Sequence, residues 1–253
     1  MSPGPEATLA SEWNNDRDCE HLRIVTLTAK AFEVAKTALG YTADAVATGS
    51  PKSFHIVLQC EKELDDLDRE IDEHVSSAVT RASNTQAREL LACLKCTIDL
   101  ERIGDLLCSF ASIYQAMQSK IEMGDVDELI RMACLIEKML KDVHQAFATR
   151  NAEASLAILR SDSEVDRLRN LIFMRHLETR EYLPGASIHI LMMTQALERV
   201  GDHTKNLAEE VCHLVTGHSM RHLAQQKEES YEQMYLRWLK QSGRPVLQYP
   251  LIK

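Results

Sequence analysis

Leu197-Glu198-Arg199-Val200-Gly201-Asp202, continuing His203-Thr204-Lys205-Asn206-Leu207-Ala208-Glu209, occurs twice in this chain, the shorter copy being Leu100-Glu101-Arg102-Ile103-Gly104-Asp105. Each copy sets a Glu and an Asp four residues apart, which on a helix stacks them one turn apart on one side. The like charges repel mildly, so a helix by itself gains nothing from the pair, and its recurrence asks for a reason such as a shared cation. Cys96, Leu100, Ile103, Leu107 and Phe110 fall on one face of the first copy, and Met193, Leu197, Val200 and Leu207 on that of the second. Those faces are core. Glu101 and Asp105 point the other way, in line with Leu94 and Ile98, as Glu198 and Asp202 are in line with Leu191, Gln195 and Glu209.

The duplication extends upstream. Ala45-Val46-Ala47-Thr48-Gly49-Ser50 lies over Ala146-Phe147-Ala148-Thr149-Arg150-Asn151 at an offset of 101, and the same offset lays Glu61 and Asp65 over Asp162 and Asp166. Downstream the offset becomes 97 (Glu198 over Glu101), so four residues were gained or lost in the connection between, where such changes are tolerated. A repeat of about a hundred residues, longer than a solenoid unit, suggests two copies of one domain.

Apolar periodicity divides each copy into three helices. The first half reads as residues 18–47, stopped by Gly49-Ser50-Pro51, then 52–81 and 85–119; the second as 125–150, 153–180 and a helix after Leu183-Pro184-Gly185 that Gly217 closes. The expected fold is all-α: two pseudo-symmetric antiparallel three-helix bundles, residues 18–121 and 122–222. Residues 1–17 are polar with early prolines and read as a disordered N-terminal segment. Residues 223–253 have no counterpart in the first half; about 223–240 is amphipathic, with Tyr231, Met234, Tyr235 and Trp238 on one face, and the remainder is an irregular tail. Those aromatics read as packing residues, with partner docking the sharper alternative.

Composition narrows the function. Aromatics at 5% with hydrophobic residues at 45% favour helices around an aliphatic core, and a net charge of −9 argues against a nucleic-acid surface and for cations or basic partners. No run is long and apolar enough for a membrane helix, and the start lacks signal-peptide features. The expected location is cytoplasmic, with membrane contact only through partners. Seven cysteines, an odd number scattered over helical stretches, read as reduced thiols.

The acid pairs are the candidate site: Glu61 with Asp65, Glu101 with Asp105, Asp162 with Asp166, and Glu198 with Asp202. Any single pair is most simply a solvated face, since charged residues are mostly exposed. Where the second and third helices of a bundle are neighbours, however, four carboxylates converge per half, and such oxygen-rich clusters favour magnesium, manganese or calcium, with iron also suited to bundle carboxylates. Lesser signals have plainer readings. Cys93 and Cys96 lie inside a helical pattern and read as core thiols; Glu210 and His213 lack the second Glu-x-x-His that a di-iron bundle needs; His203 reads as a surface or packing residue; Gly104 and Gly201 read as points of close helix approach. No Gly-rich phosphate loop is present.

Glu198-Arg199-Val200-Gly201-Asp202-His203, with Asn206-Leu207-Ala208-Glu209 and the stretch from Leu214-Val215-Thr216-Gly217 to His222, resembles the C-terminal signature of the PhoU family, regulators of bacterial phosphate uptake. With the duplicated bundles and acid pairs, the resemblance spans roughly residues 18–222. It implies a non-enzymatic cytoplasmic protein, often a homodimer, that acts with the phosphate ABC transporter ATPase and a phosphate-sensing histidine kinase to repress the phosphate-starvation response. It also implies metal at the Glu/Asp-x-x-x-Asp pairs, iron, manganese, magnesium or zinc being the candidates. The first half departs from the signature, with Leu106 and Ser109 in place of His203 and Asn206; if those polar residues support a site, the first is weaker or empty. Two readings from other classes stand beside this one: a metal-dependent enzyme, oxidase or phosphoesterase, and a metal-free helical scaffold.

Overall fold

The computed structural model describes the backbone over residues 5–117, 121–178 and 184–217, and side chains over 19–117, 121–158, 164–176 and 186–217. Among the described residues six helices run in order: α1 (Pro5–Thr48), α2 (Pro51–Val79), α3 (Asn84–Met117), α4 (Met123–Thr149), α5 (Ala152–Glu178) and α6 (Pro184–Thr216). No strand occurs among the described residues. α1 is bounded at Pro5, so it takes in residues 5–17 of the segment read from the sequence as disordered. Proline suits the first helical position, where its missing N–H has no partner to lose, and Ala7, Leu9, Ala10 and Glu12 are good helix formers. The amphipathic stretch and tail expected over 223–253 lie outside the described residues.

The repeat is visible in how helices end. α1 stops at Gly49, φ 66°, and α4 stops at Arg150, φ 52° and ψ 46°, the residue 101 positions on; both adopt the left-handed conformation of a helix terminus. The next residues then cap the following helix: Ser50 Oγ accepts from Ser53 N at 3.3 Å, and Asn151 Oδ1 accepts from Ala154 N at 3.0 Å. A side chain in that left-handed region costs about 1–2 kcal/mol. Arg150 offsets this with its guanidinium, which donates to Phe147 O, pairs with Glu89 and lies 4.6 Å over the Phe147 ring.

α1, α2 and α3 pack on one another, as do α4, α5 and α6, and the two bundles join through α1 against α4 and α3 against α6. Helices therefore lie in two layers: α2, α3, α6 and α5 side by side in one, α1 and α4 in the other. The joining contacts pair repeat-equivalent helices, so the pseudo-two-fold runs between them. α3 and α6 are antiparallel, since Lys95 Nζ meets Glu210 Oε2 at 3.1 Å near one end while Asp99 meets His203 nearer the middle. One core cluster crosses both halves and includes Phe32, Leu64, Ile71, Leu100, Ile103, Leu107, Phe110, Phe147, Met193, Leu197, Val200 and Leu207.

Glycine sets the spacing within each bundle. A Cβ placed on Gly104 would stand 2.9 Å from Leu64 Cδ1 and 3.5 Å from Glu61 Cα, and one on Gly201 would stand 3.3 Å from Val165 Cγ1. Leu64 and Val165 are themselves 101 residues apart, so both halves use the same close approach. Gly104→Leu is expected to push α3 off α2 and lower stability by about 1–3 kcal/mol. Urea unfolding reads the loss; an unchanged midpoint would show that the helices approach less closely than this.

Candidate functional site

The acid pairs sit on the four helices of that layer: Glu61 and Asp65 on α2, Glu101 and Asp105 on α3, Asp162 and Asp166 on α5, Glu198 and Asp202 on α6. Glu61, Asp65, Asp68 and Asp72 follow one line of α2, and Gly104 brings α3 against it so that Glu101 and Asp105 face them across the groove. Burial pushes the Glu61 carboxyl up from its ordinary value, and the charges of Asp65 and Asp105 add to this. Glu101 is pushed up by burial first, then by Asp105, Asp68 and Asp65, against the opposing Arg102 charge. These couplings put the first-half carboxylates within electrostatic reach of one another.

The sequence reading missed Asp68 and Asp72. Asp68 is pushed up by burial and by Asp72 and Asp65, and its Oδ1 is buried with no hydrogen-bond donor. The signal was present in the continued spacing 61, 65, 68, 72, which is one stripe of a 3.6-residue helix. Two further groups complete the first-half groove. Arg102 Nη1 bonds Asp105 Oδ2 at 3.1 Å while its Nε lies 3.3 Å from Glu101 Oε2, tying that pair together. Burial, with Glu61, Asp105 and Asp65 next, pushes the Cys108 thiol up to about 12, so it is neutral at physiological pH.

A raised carboxyl binds its proton more readily folded than unfolded, so stability falls as pH climbs from the ordinary glutamate pKa through the raised one. Glu61→Gln is therefore expected to stabilise the chain near neutral pH by about 0.2–0.5 kcal/mol for each like-charge contact removed. The gain should vanish at about pH 4 and below, where the wild-type carboxyl is itself protonated. Urea midpoints at both pH values check this; a gain at acid pH alone contradicts the repulsion argument.

The second half is assembled differently. Arg169 Nη2 donates to Gln195 Oε1 at 3.4 Å, the Gln195 amide donates to Glu198, and Arg169 lies 4.7 Å over the Phe173 ring. Asp166 and Asp202 are exposed, and the Asp162 side chain lies outside the described residues. Among the described residues no three of His, Cys, Asp and Glu are placed to close on a metal ion. What fits a cation is the donor chemistry of the first half: clustered oxygens that repel one another, with Arg102 as the nearby positive charge and a buried Asp68 oxygen without a donor.

His203 and Asn206 reach across to the other bundle. His203 Nδ1 donates to Asp99 Oδ1 at 2.7 Å and Asn206 Nδ2 donates to the same oxygen at 3.2 Å, across the seam between bundles. Their first-half counterparts Leu106 and Ser109 do not carry the groups that make this inter-bundle contact. Cys93 and Cys96 are fully buried core thiols, pushed up by burial, Cys93 to about 11.

A polar cluster that the sequence did not suggest lies at the end of the second bundle. His176 Nε2 donates to Asp125 Oδ1 at 3.0 Å, Ser187 Oγ lies 3.1 Å from His176 Nδ1, and Arg175 Nη1 reaches the same Asp125 oxygen at 3.1 Å. The His176 side chain is 1% exposed and that of Asp125 3%. A carboxylate only accepts, so the Nε2 proton lies on the bond to Asp125. The repeat-equivalent first-half residues are Ile24, Val75 and Leu90, all buried and apolar.

Fold and face together define a class: proteins made of a duplicated three-helix bundle with paired carboxylates along one layer. The PhoU domain model matches residues 28–113 and 129–211, one match to each half. The chain belongs to the PhoU family. It is 32% identical over 172 residues to a phosphate-specific transport system accessory protein, PhoU homolog 1 of Thermotoga maritima, covering 65% of this chain and 74% of that protein. The PhoU homolog of Pseudomonas aeruginosa is 30% identical over 184 residues, covering 68% of this chain and 75% of the relative. Two solved structures share the fold. The phosphate transport system regulatory protein PhoU from Streptococcus pneumoniae superposes with a TM-score of 0.72 at 17% identity, covering 80% of this chain and 98% of that one. PhoU from Pseudomonas aeruginosa gives 0.64 at 25% identity, covering 82% and 99%. Among the described residues no helix is long and apolar enough to cross a membrane.

Proposed function

We propose that this chain is a cytoplasmic, non-enzymatic negative regulator of phosphate uptake and of the phosphate-starvation response, working as a homodimer that contacts the phosphate ABC transporter ATPase and a phosphate-sensing histidine kinase. Family membership supports the setting, since its relatives are named accessory proteins of phosphate-specific transport. The observation that carries the reading is the placement of the acid pairs in one layer, α2, α3, α6 and α5, which offers a broad negative face to a basic partner surface. Deleting the gene is expected to derepress phosphate-starvation genes, and pull-downs should recover the ATPase or the kinase. An unaltered starvation response together with no interaction in either pull-down overturns the proposal.

The same face is proposed to bind cations, with iron, manganese, magnesium or zinc as candidates. In the first half Glu61, Asp65, Glu101 and Asp105 would supply the oxygens, with Asp68 beside them; in the second, Asp162, Asp166, Glu198 and Asp202. A bound cation would supply the positive charge that relieves their mutual repulsion. Elemental analysis of protein prepared without chelators should find metal that falls in Glu61→Ala/Glu101→Ala and in Glu198→Ala/Asp202→Ala. Absence of metal from the parent protein, or equal content in the variants, rejects this part and leaves the partner reading intact.

A further inference from the structure

α1 and α4 form the layer opposite the acid pairs, and their seam holds an open cleft of about 480 Å³ lined by Lys36, Thr37, Gly40, Tyr41, Asp44 and Glu137. Gly40 makes the room. A Cβ placed on it would stand 3.3 Å from Glu137 Oε1 and 3.7 Å from Glu137 Cδ, so the Glu137 carboxyl lies over bare α1 backbone. The repeat puts a different pair in the symmetric place. Gly40 corresponds to Lys141 and Glu137 to Lys36, each 101 positions away. Where one side of the pseudo-two-fold carries two lysine side chains, the other therefore carries a space and a carboxylate.

The lining is supplied with acceptors and short of donors. Among the described residues the Glu137 carboxylate and the Tyr41 hydroxyl have no hydrogen bond or ion pair. Asp44 Oδ2 accepts the Ser53 hydroxyl at 2.5 Å and has no basic partner. Thr37 Oγ1 donates to Glu33 O at 2.8 Å, which leaves its oxygen able to accept. Lys36, the one cation of the lining, is taken up by Glu33 at 2.7 Å. Two carboxylates thus remain for a positive charge from outside.

A bare metal ion suits the cleft poorly, since among the described residues no three of His, Cys, Asp and Glu are placed to close on one. An alkylammonium suits it well. Its head has three donors and no acceptor, its stem packs on apolar surface, and Tyr41, 37% exposed, offers a ring that attracts cations. Gly40 and Asp44 are about 6 Å apart along α1. One ammonium beside Glu137 can therefore place a second beside Asp44 across a short alkyl chain. The volume is within the range of about 300–1,000 Å³ that small-ligand sites occupy.

We propose that the α1–α4 cleft is a binding site for a small alkyl diamine, one ammonium held by Glu137 over Gly40 and the other by Asp44, with Tyr41 as the aromatic wall. The site is built once, because the repeat-equivalent of Gly40 is a lysine. It is independent of the proposed function and of the cation site on the opposite layer.

Isothermal titration calorimetry of the full chain with putrescine, in buffer of physiological ionic strength, tests this. One molecule is expected to bind per chain, and neutral butanediol should give no binding heat. Glu137→Gln should weaken putrescine binding by at least about tenfold, the usual loss with one charged hydrogen bond. Gly40→Lys should abolish it, because the chain then supplies its own ammonium beside Glu137. Tyr41→Ala should weaken it several-fold, and Glu73→Gln, an exposed acid of α2, should leave it unchanged. Circular dichroism checks that each variant is folded; lysine for glycine inside a helix adds helix propensity. Absence of saturable putrescine binding overturns the proposal. Binding that is the same in Glu137→Gln and Gly40→Lys as in the parent also overturns it, and reports only a general attraction of diamines to an acidic chain.

Discussion

Asp125→Ala is expected to lower stability by about 3–5 kcal/mol, because removing one member of a buried charged cluster strands the others. His176 loses the acceptor of its Nε2 proton, 3.0 Å away, and Arg175 loses the Asp125 carboxylate while keeping Glu128. The larger test is a transplant. Asp125→Ile/His176→Val/Ser187→Leu places in the second bundle the residues that the first holds at the equivalent positions, Ile24, Val75 and Leu90. Replacing a buried ionic group with well-packed apolar side chains is commonly neutral or stabilising by about 1–4 kcal/mol. The triple variant should therefore match or exceed the parent in urea unfolding while the single variant falls far below it. A triple variant as unstable as Asp125→Ala would mean that the two bundle ends are packed differently and that the repeat is not structural there.

Phe32→Ala is expected to cost about 3–5 kcal/mol, the usual loss on emptying a buried aromatic site. In a chain of this size that corresponds to a fall in Tm of roughly 10 °C. Phe32 is fully buried in α1 and meets α4 of the other bundle, stacking on His144 at 5.2 Å and against Phe147 at 5.4 Å. Burial holds the His144 imidazole below its ordinary pKa, so it stays neutral where it packs. The loss should therefore appear in the coupling between halves. Differential scanning calorimetry is expected to show one transition in the parent, broadened or split in Phe32→Ala. A shift of less than about 2 °C would show that α1 and α4 are held together elsewhere.

The helices and their caps were legible in the chain because they depend on residues close in sequence. Gly49-Ser50-Pro51 stops one helix and starts another through backbone conformations that those residue types favour, and Gly217 ends α6 with φ 75°. The core list was legible for the same reason, since the 3.6-residue period alone separates Leu100, Ile103 and Leu107 from Glu101 and Asp105. The electrostatic coupling of the first acid pairs was also legible, because a duplicated pair on neighbouring helices has few other arrangements. Asp68 was passed over because the reading stopped at the pair that had a repeat-equivalent partner.

His203 shows the other side. Read from the sequence as a surface or packing residue, it bonds Asp99 at 2.7 Å from the opposite bundle, on a helix about a hundred residues away in the chain. Asp125, His176 and Ser187 come from three helices and meet only when α4, α5 and α6 pack. No local pattern marks them, and the repeat hides them, since its other copy is apolar.

By itself the sequence determined six amphipathic helices in two equivalent sets, where the joins between them fall, and which faces carry charge: properties set by side chains within a turn or two of each other. Only the tertiary structure decided that α3 lies against α6 and α1 against α4, that one layer therefore carries every acid pair, and that polar groups far apart in the chain satisfy each other in the interior. Those outcomes depend on how whole helix faces fit together, and the free energy of that fit is spread over many weak contacts that no single stretch encodes.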